Sequence, residues 1–144
     1  MPLSVLGLGT AVPTQSVNQT ESTTLSEWVS ADHPERASLV RRIQRRSQVE
    51  TRGSVLLTGD PQQTIHHRLP FYGVDSPNTA VRMEAFRLHA SSLALKACQR
   101  ALDESPISVQ QITHLITISC TGFHAPGVDC DLIDQLQLPP DVQR

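Results

Sequence analysis

Four stretches of the chain carry the residue pattern of an α-helix. The longest, Thr79–Glu104, places apolar residues three and four positions apart on one face and has leucines on much of the other. Apolar positions most of the way round, together with many small side chains, predict a helix buried on several sides between two layers. Shorter helices are predicted at Thr20–Ser30, Pro34–Ser47 and Val128–Leu136, the second because proline favours a first helical turn.

Two short apolar runs predict β-strands. Leu3–Leu8 is followed by a glycine and a proline, and Ile112–Ser119 is β-branched and almost continuously apolar, the pattern of a central parallel strand. The strand-helix-strand order predicts an α/β fold. Ligands of open α/β sheets bind beyond the carboxyl ends of the strands, so Cys120 and Thr121 are predicted to lie at a substrate crevice.

The segment between Thr58 and Asn78 is polar and irregular, and five glycines and prolines interrupt any period. We predict that residues 58–78 form a long connecting loop or a surface insertion. Its adjacent histidines, His66 and His67, would not converge on one ion from a helix, so we expect no metal site in this segment.

Composition and charge narrow the functional classes. The 144 residues suit one domain or a piece of a larger one, with 38% hydrophobic residues, five aromatic residues and a net charge of −2. No apolar run approaches the roughly 18 residues of a membrane span, and nothing at the N-terminus resembles a secretory signal. We therefore expect a cytoplasmic protein with no nucleic acid or membrane partner. Its three cysteines lack C-x-x-C spacing, which predicts reduced thiols and no structural metal.

Arginine dominates the basic residues, with eleven arginines against a single lysine. Six of the arginines fall within Arg36–Arg52. On a helix Arg42 and Arg46 share one face, and Arg41 and Arg45 share the neighbouring one. Because guanidinium groups make forked contacts with phosphate, this cluster predicts either an anion site or a solvated helix face.

Cys120 admits two interpretations. A thiolate activated by a neighbouring histidine, here His124, would be a nucleophile. A free cysteine is also commonly a small buried hydrophobic residue. No third group that would orient the histidine is evident in the sequence, and the residue types alone leave both interpretations open.

Several stretches carry family motifs: LGLGTAVP near the N-terminus, R-I-x-x-R-S-x-V-E-T-R at Arg42–Arg52, the segment Ser76–Leu102, and Ile112–Leu138 with its C-T-G-x-x-x-P-G-x-D loop. Together they resemble the N-terminal part of type III polyketide synthases, the chalcone and stilbene synthase-like enzymes. The motifs occur in the family's order and cover nearly the whole chain apart from Thr58–Asp75. The last loop resembles bacterial members most.

The resemblance implies an α/β thiolase-like fold, of which residues 1–144 would be the N-terminal half. Family members form homodimers and use coenzyme A thioesters without a permanently bound cofactor. They load an acyl-CoA starter onto a cysteine and extend it with malonyl-CoA units. Their Cys-His-Asn catalytic residues would lie beyond Arg144, so the resemblance implies a domain truncated before the catalytic cysteine. Such a chain would carry no catalytic residue and be inactive alone.

The same resemblance assigns site residues. Arg42 and Arg46 match two family positions that hold the coenzyme A phosphates. A third such position, a lysine in the family, corresponds to Leu39 in this chain. Arg41 or Arg45 would take over the role of that lysine. The substrate pocket would be lined by the loop after the second predicted strand. Its residues are Cys120, Thr121, Gly122, Phe123, Ala125 and Pro126. Cys120 is then a wall residue, and Ala125 stands where plant members commonly carry a methionine that crosses to the partner subunit.

Two alternatives remain. A β-ketoacyl-acyl carrier protein synthase III-like condensing enzyme would share the thiolase fold and use acyl carrier protein. In the second alternative the chain is a non-catalytic dimerisation or binding module, a truncated gene product that is retained because it pairs with a full-length relative. Whether this chain is itself an enzyme depends on the catalytic residues that the resemblance places outside it.

Overall fold

The computed structural model describes residues 2–30, 34–73 and 76–144. The chain divides into two compact units, one formed by Val12–Asn78 and the other by Met1–Ala11 together with Thr79–Arg144. Each unit has its own set of elements and is described by itself.

The Val12–Asn78 unit combines helices with a two-stranded antiparallel sheet. Strand β1 (Ser16–Asn18) leads into helix α1 (Gln19–Val29), and helix α2 (Pro34–Arg46) is followed by strand β2 (Thr51–Gly53). The strands pair antiparallel, with the central residue of β1 opposite the central residue of β2. The two predicted helices of this unit are confirmed to within one residue at each end.

Local hydrogen bonds explain where α1 begins. The Asn18 side chain accepts a hydrogen bond of 2.9 Å from the backbone N–H of Glu21, and the Glu21 carboxylate accepts one of 2.9 Å from the N–H of Asn18. This reciprocal capping satisfies two backbone donors that a helix start otherwise leaves unpaired. The polar residues ahead of α1 therefore determine its first turn.

The segment predicted as a loop, residues 58–78, is partly helical. It contains helix α3 (Ile65–Arg68) and a turn of 3-10 helix at Pro70–Tyr72, while its residues 74 and 75 lie outside the described part of the chain. Ile65 and Leu69 are buried and pack with Val17 and Leu57 in the core of this unit. The polar composition of the segment gave no indication that Ile65 and Leu69 would be buried. That the segment is an insertion stays a prediction.

The second unit is built on two helices. Helix α4 (Thr79–Asp103) and helix α5 (Val128–Leu136) both confirm the predictions, α5 at both ends. The Ser91 hydroxyl donates a hydrogen bond to the Asp131 carboxylate and so joins α4 to α5. Leu132 of α5 is buried, with 2% of its surface exposed.

The two predicted strands of this unit are wrong for the chain as it stands. Neither Leu3–Leu8 nor Ile112–Ser119 forms a strand, and the second has only an isolated parallel bridge between His114 and Gln143. A strand exists through hydrogen bonds to a neighbouring strand, and among the described residues neither segment has one. Most of their side chains are accordingly exposed, Leu3 fully and Ile118 to 92%.

The N-terminal segment lies directly against the backbone of α4. A Cβ atom at Gly7 would overlap the carbonyl oxygen of Ala101, and one at Gly9 would overlap that of Ala97. Glycine therefore permits a close approach that no other residue allows.

The prediction that α4 is buried on several sides is wrong here, because none of its residues is fully buried within the described chain.

Candidate functional site

A cavity of about 500 Å³ lies within the second unit. One wall is the small-residue face of α4, a second is the extended segment Leu115–Ser119, and a third is the loop Gly122–His124 with the start of α5. Most of its lining residues are apolar or small, among them Phe86, Ala90 and Leu132. Such a space suits an apolar ligand held by a few polar groups.

The loop residues assigned to the substrate pocket separate into two sets. Gly122 and Phe123 line the cavity. The others do not line it and are exposed: Cys120, Thr121, Ala125 and Pro126. Their part in a substrate pocket stays a prediction, because the segment that carries them has no neighbouring strand among the described residues.

Gly122 is required by the packing of the cavity wall. A Cβ atom at Gly122 would overlap the ring of Phe86 on α4. The loop can approach α4 this closely only because glycine has no side chain. The glycine of the C-T-G motif thus sets the distance between the loop and the helix.

His124 is one of the polar residues that line the cavity, and sequence reasoning missed it in this role. Its ring lies beside Phe86, with the ring centroids 6.0 Å apart, and it lines the cavity. Its Nε2 atom is buried and forms no hydrogen bond to any described residue. Because the His124 Nε2 has no partner among the described residues and Cys120 is exposed, the geometry gives no support to a thiolate activated by His124.

Cys98 contributes a thiol to the same cavity wall. Burial raises the pKa of the Cys98 thiol, because a low-polarity environment disfavours the thiolate. The group therefore stays neutral near physiological pH and acts as part of the apolar wall. The three cysteines of the chain are free thiols in this structure.

The arginine cluster lies on α2, in the other unit. Arg42, Arg45 and Arg46 are exposed and form no ion pair or hydrogen bond with any described residue. Arg41 differs, because its guanidinium pairs with Glu27 of α1. Arg45 and Arg46 follow Arg42 by three and four residues, which places both side chains beside that of Arg42 on one helix surface.

The ion pair between Arg41 and Glu27 distinguishes Arg41 from Arg45, the two arginines considered as replacements for the family lysine at the position of Leu39. Arg41 is engaged by a carboxylate, whereas Arg45 is exposed, has no ion pair or hydrogen bond with any described residue, and follows Arg42 by three residues on α2. Leu39 is 44% exposed and apolar, so it offers no charge to an anion. The structure thus leaves Arg42, Arg45 and Arg46 without a carboxylate partner in the described part of the chain and pairs Arg41 with Glu27.

Comparison with known proteins gives consistent findings along the whole chain. The family model for the N-terminal domain of chalcone and stilbene synthases matches residues 2–144. A probable polyketide synthase 1 of Dictyostelium discoideum is 33% identical over 143 residues, covering 97% of this chain and 4% of its own length. The α-pyrone synthesis polyketide synthase-like Pks18 of Mycobacterium tuberculosis is 30% identical, covering 96% of this chain and 33% of its own length.

Solved structures resemble the chain in fold. The C-terminal type III polyketide synthase domain of Steely1 from Dictyostelium has a TM-score of 0.74 at 30% identity, covering 97% of this chain and 37% of that one. The fungal type III polyketide synthase ORAS has a TM-score of 0.74 at 25% identity, covering 99% and 35%. These likenesses confirm the predicted thiolase-like fold class, and the chain spans about a third of these structures.

Proposed function

The chain belongs to the chalcone and stilbene synthase family through its N-terminal domain, and from this premise we propose that it supplies the coenzyme A entrance and part of the substrate wall of a type III polyketide synthase. The proposed reaction condenses an acyl-CoA starter with malonyl-CoA units. Family membership favours this function over a β-ketoacyl-acyl carrier protein synthase III-like enzyme. The origin of the chain in a bacterial-type member stays a prediction, since its relatives include amoebal, mycobacterial and plant proteins.

The unpaired guanidinium surface of α2 carries this proposal. Coenzyme A presents a diphosphate and a further phosphate on its ribose, and Arg42, Arg45 and Arg46 offer three cations that no described carboxylate neutralises. Forked arginine-phosphate bonds would supply affinity and orient the thioester. We assign the third phosphate contact to Arg45 rather than Arg41, because Glu27 already holds Arg41.

We assign the substrate wall to the loop Cys120–Pro126 and to the cavity beside it. Gly122 and Phe123 line the cavity, and His124 adds a buried ring nitrogen with no partner among the described residues. A hydrogen-bonding atom in an apolar wall would orient a carbonyl of a bound acyl chain. The exposed Cys120 and Thr121 would border the substrate without carrying out acyl transfer.

Catalysis is assigned to residues outside this chain. Decarboxylation and condensation need a nucleophile, a base and an oxyanion partner within hydrogen-bond reach. The described residues bring no such set together, and the family resemblance assigns the Cys-His-Asn residues to positions beyond Arg144. The 144-residue chain alone is therefore proposed to be inactive, with a homodimer forming in the complete enzyme and no cofactor bound permanently.

A non-catalytic binding or dimerisation module is the second candidate. The apolar side chains of Leu3, Val5 and Ile118 are between 86% and 101% exposed, which favours association with a further polypeptide. No helix in the described part of the chain is long and apolar enough to cross a membrane. A cytoplasmic location is part of the proposal.

Coenzyme A binding to the 144-residue chain tests the proposal. Isothermal titration should show that Arg42→Ala and Arg46→Ala each weaken binding about ten- to hundredfold, the effect of one charge-assisted hydrogen bond. Arg41→Ala is the matched control, because it removes the same charge from the same helix but from a group held by Glu27. Equal losses in all three variants would indicate non-specific charge attraction, and unchanged binding in Arg42→Ala and Arg46→Ala would refute the site.

In a complete enzyme the same substitutions should raise KM for coenzyme A thioesters and leave kcat nearly unchanged. The phosphate end of coenzyme A is remote from the reacting carbon, so its contacts are similar in the ground and transition states. A loss confined to kcat would contradict this assignment.

A further inference from the structure

Two residues with no assigned role connect the carboxyl end of α2 to the rest of its unit. We propose that Gln19 and Arg52 form a clamp that positions Arg42, Arg45 and Arg46 for the phosphates of coenzyme A. The inference rests on the proposed function and adds positioning residues that would touch no ligand.

The clamp consists of hydrogen bonds between residues far apart in the sequence. Arg52 on β2 donates from Nη1 to Oε1 of Gln19 at 2.6 Å and from Nη2 to Oγ of Ser47 at 3.1 Å. Gln19, the first residue of α1, donates from Nε2 to the carbonyl oxygen of Gln44 on α2. One guanidinium and one amide therefore link α1, β2 and the last turn of α2.

The clamp also satisfies the end of α2. The last carbonyl groups of a helix lack partners within the helix. The Gln44 carbonyl accepts from Gln19 and, at 2.7 Å, from the Ser47 hydroxyl. Gln48 then has a φ of 54°, a left-handed conformation that turns the chain toward β2 and returns Arg52 to the helix end.

Gln44 determines which side of α2 faces inward. Its amide donates to the Ser26 hydroxyl of α1 at 3.2 Å, and it is half-buried, whereas Arg42, Arg45 and Arg46 are exposed. An α-helix with its side chains has a radius of about 5–6 Å, so a rotation of about 20° would displace a side-chain tip by about 2 Å. A displacement of that size breaks a forked arginine-phosphate contact.

Arg52 acts through the clamp rather than by touching phosphate. Its two terminal nitrogens are occupied by Gln19, Ser47 and, at 3.4 Å, the carbonyl oxygen of Val49. The residue is half-buried, unlike the three arginines of the exposed surface. Its fork matches two acceptors at once, which a lysine cannot do.

Gln19→Ala tests the clamp without changing the charge of the protein. In isothermal titration of the 144-residue chain, it should weaken coenzyme A binding about two- to tenfold, because it removes the bond from Arg52 and the bond to Gln44 but no contact with the ligand. Gln62→Ala is the matched control, since Gln62 is exposed and its side chain bonds to no described residue. Arg52→Lys should reproduce the loss, whereas wild-type affinity in Arg52→Lys would refute the clamp.

A double-mutant background separates positioning from other effects. In Arg42→Ala/Arg46→Ala protein, Gln19→Ala should cause little further loss, because the groups that it positions are absent. Hydrogen exchange should meanwhile accelerate at residues 43–52 in Gln19→Ala and stay unchanged in the α3 segment. The same fold loss in both backgrounds, or unchanged exchange, would overturn the clamp.

The two proposals fail in different ways. If Arg42→Ala/Arg46→Ala keeps wild-type affinity for coenzyme A, the proposed phosphate site is wrong and the clamp has nothing to position. If that double variant loses affinity while Gln19→Ala keeps it, the phosphate site stands and the clamp is wrong.

Discussion

The ion pair between Arg68 and Glu21 in the Val12–Asn78 unit gives a test of what holds α1 in place. Helix α1 also carries Gln19 of the clamp. Arg68 of α3 is only 3% exposed; it donates from Nη1 to Glu21 Oε1 at 2.9 Å and from Nη2 to the carbonyl oxygen of Ser16 at 2.9 Å. Its Nε is buried without a partner among the described residues. The guanidinium thus depends strongly on Glu21 for compensation of its charge.

Replacing Glu21 should lower the free energy of unfolding more than replacing Arg68. Glu21→Ala leaves the guanidinium buried and uncompensated, a loss of about 3–5 kcal/mol for a fully buried pair. Because the Glu21 side chain is 26% exposed, we expect the lower end, about 3 kcal/mol. Loss of its hydrogen bond from the Asn18 N–H adds about 0.5–1 kcal/mol. Arg68→Met leaves a carboxylate that water can reach and should cost only about 1–2 kcal/mol.

Urea unfolding followed by tryptophan fluorescence measures both changes. Trp28 is the chain's single tryptophan and lies in this unit, so its signal reports on this unit. The double variant Glu21→Ala/Arg68→Met should be more stable than Glu21→Ala alone, since removing the guanidinium removes the uncompensated charge. A larger loss in Arg68→Met than in Glu21→Ala, or strictly additive losses, would refute the reasoning.

Four further predictions concern the second unit. Gly9→Ala should lower stability by about 1–3 kcal/mol in thermal unfolding because a Cβ there overlaps α4, whereas Gly73→Ala, whose Cβ would lie 3.3 Å from its nearest neighbour, should cost less. Iodoacetamide should alkylate the exposed Cys120 faster than Cys98, whose pKa is raised by burial; mass spectrometry of timed digests would show a reversed order if this is wrong. The raised pKa of Cys98 favours the folded state below about pH 8.5, and this contribution is lost as the pH rises toward the folded-state pKa, so Cys98→Ala should reduce the alkaline loss of stability in urea unfolding. In a complete enzyme Thr121→Leu should favour shorter products, by about 1–3 kcal/mol of discrimination, and unchanged product masses would remove this residue from the pocket.

The helices and the family were accessible from the sequence. An α-helix closes its hydrogen bonds four residues apart, so spacing, prolines and capping residues such as Asn18 suffice to place its ends. The family could also be recognised from the sequence, because the motifs around Arg42–Arg52 and Cys120–Asp129 are short continuous stretches. The surface of Arg42 and Arg46 followed from helical spacing alone.

The remaining features depend on residues that only folding brings together. A strand needs a hydrogen-bonded neighbouring strand, so the apolar pattern of Ile112–Ser119 could not reveal that this segment has only an isolated bridge to Gln143 among the described residues. The burial of Arg68 depends on Glu21, 47 residues away, and the clamp joins Gln19 to Arg52, 33 residues away. Polar contacts of this kind leave no periodic signal in a sequence, because their geometry is set by tertiary packing and not by spacing along the chain.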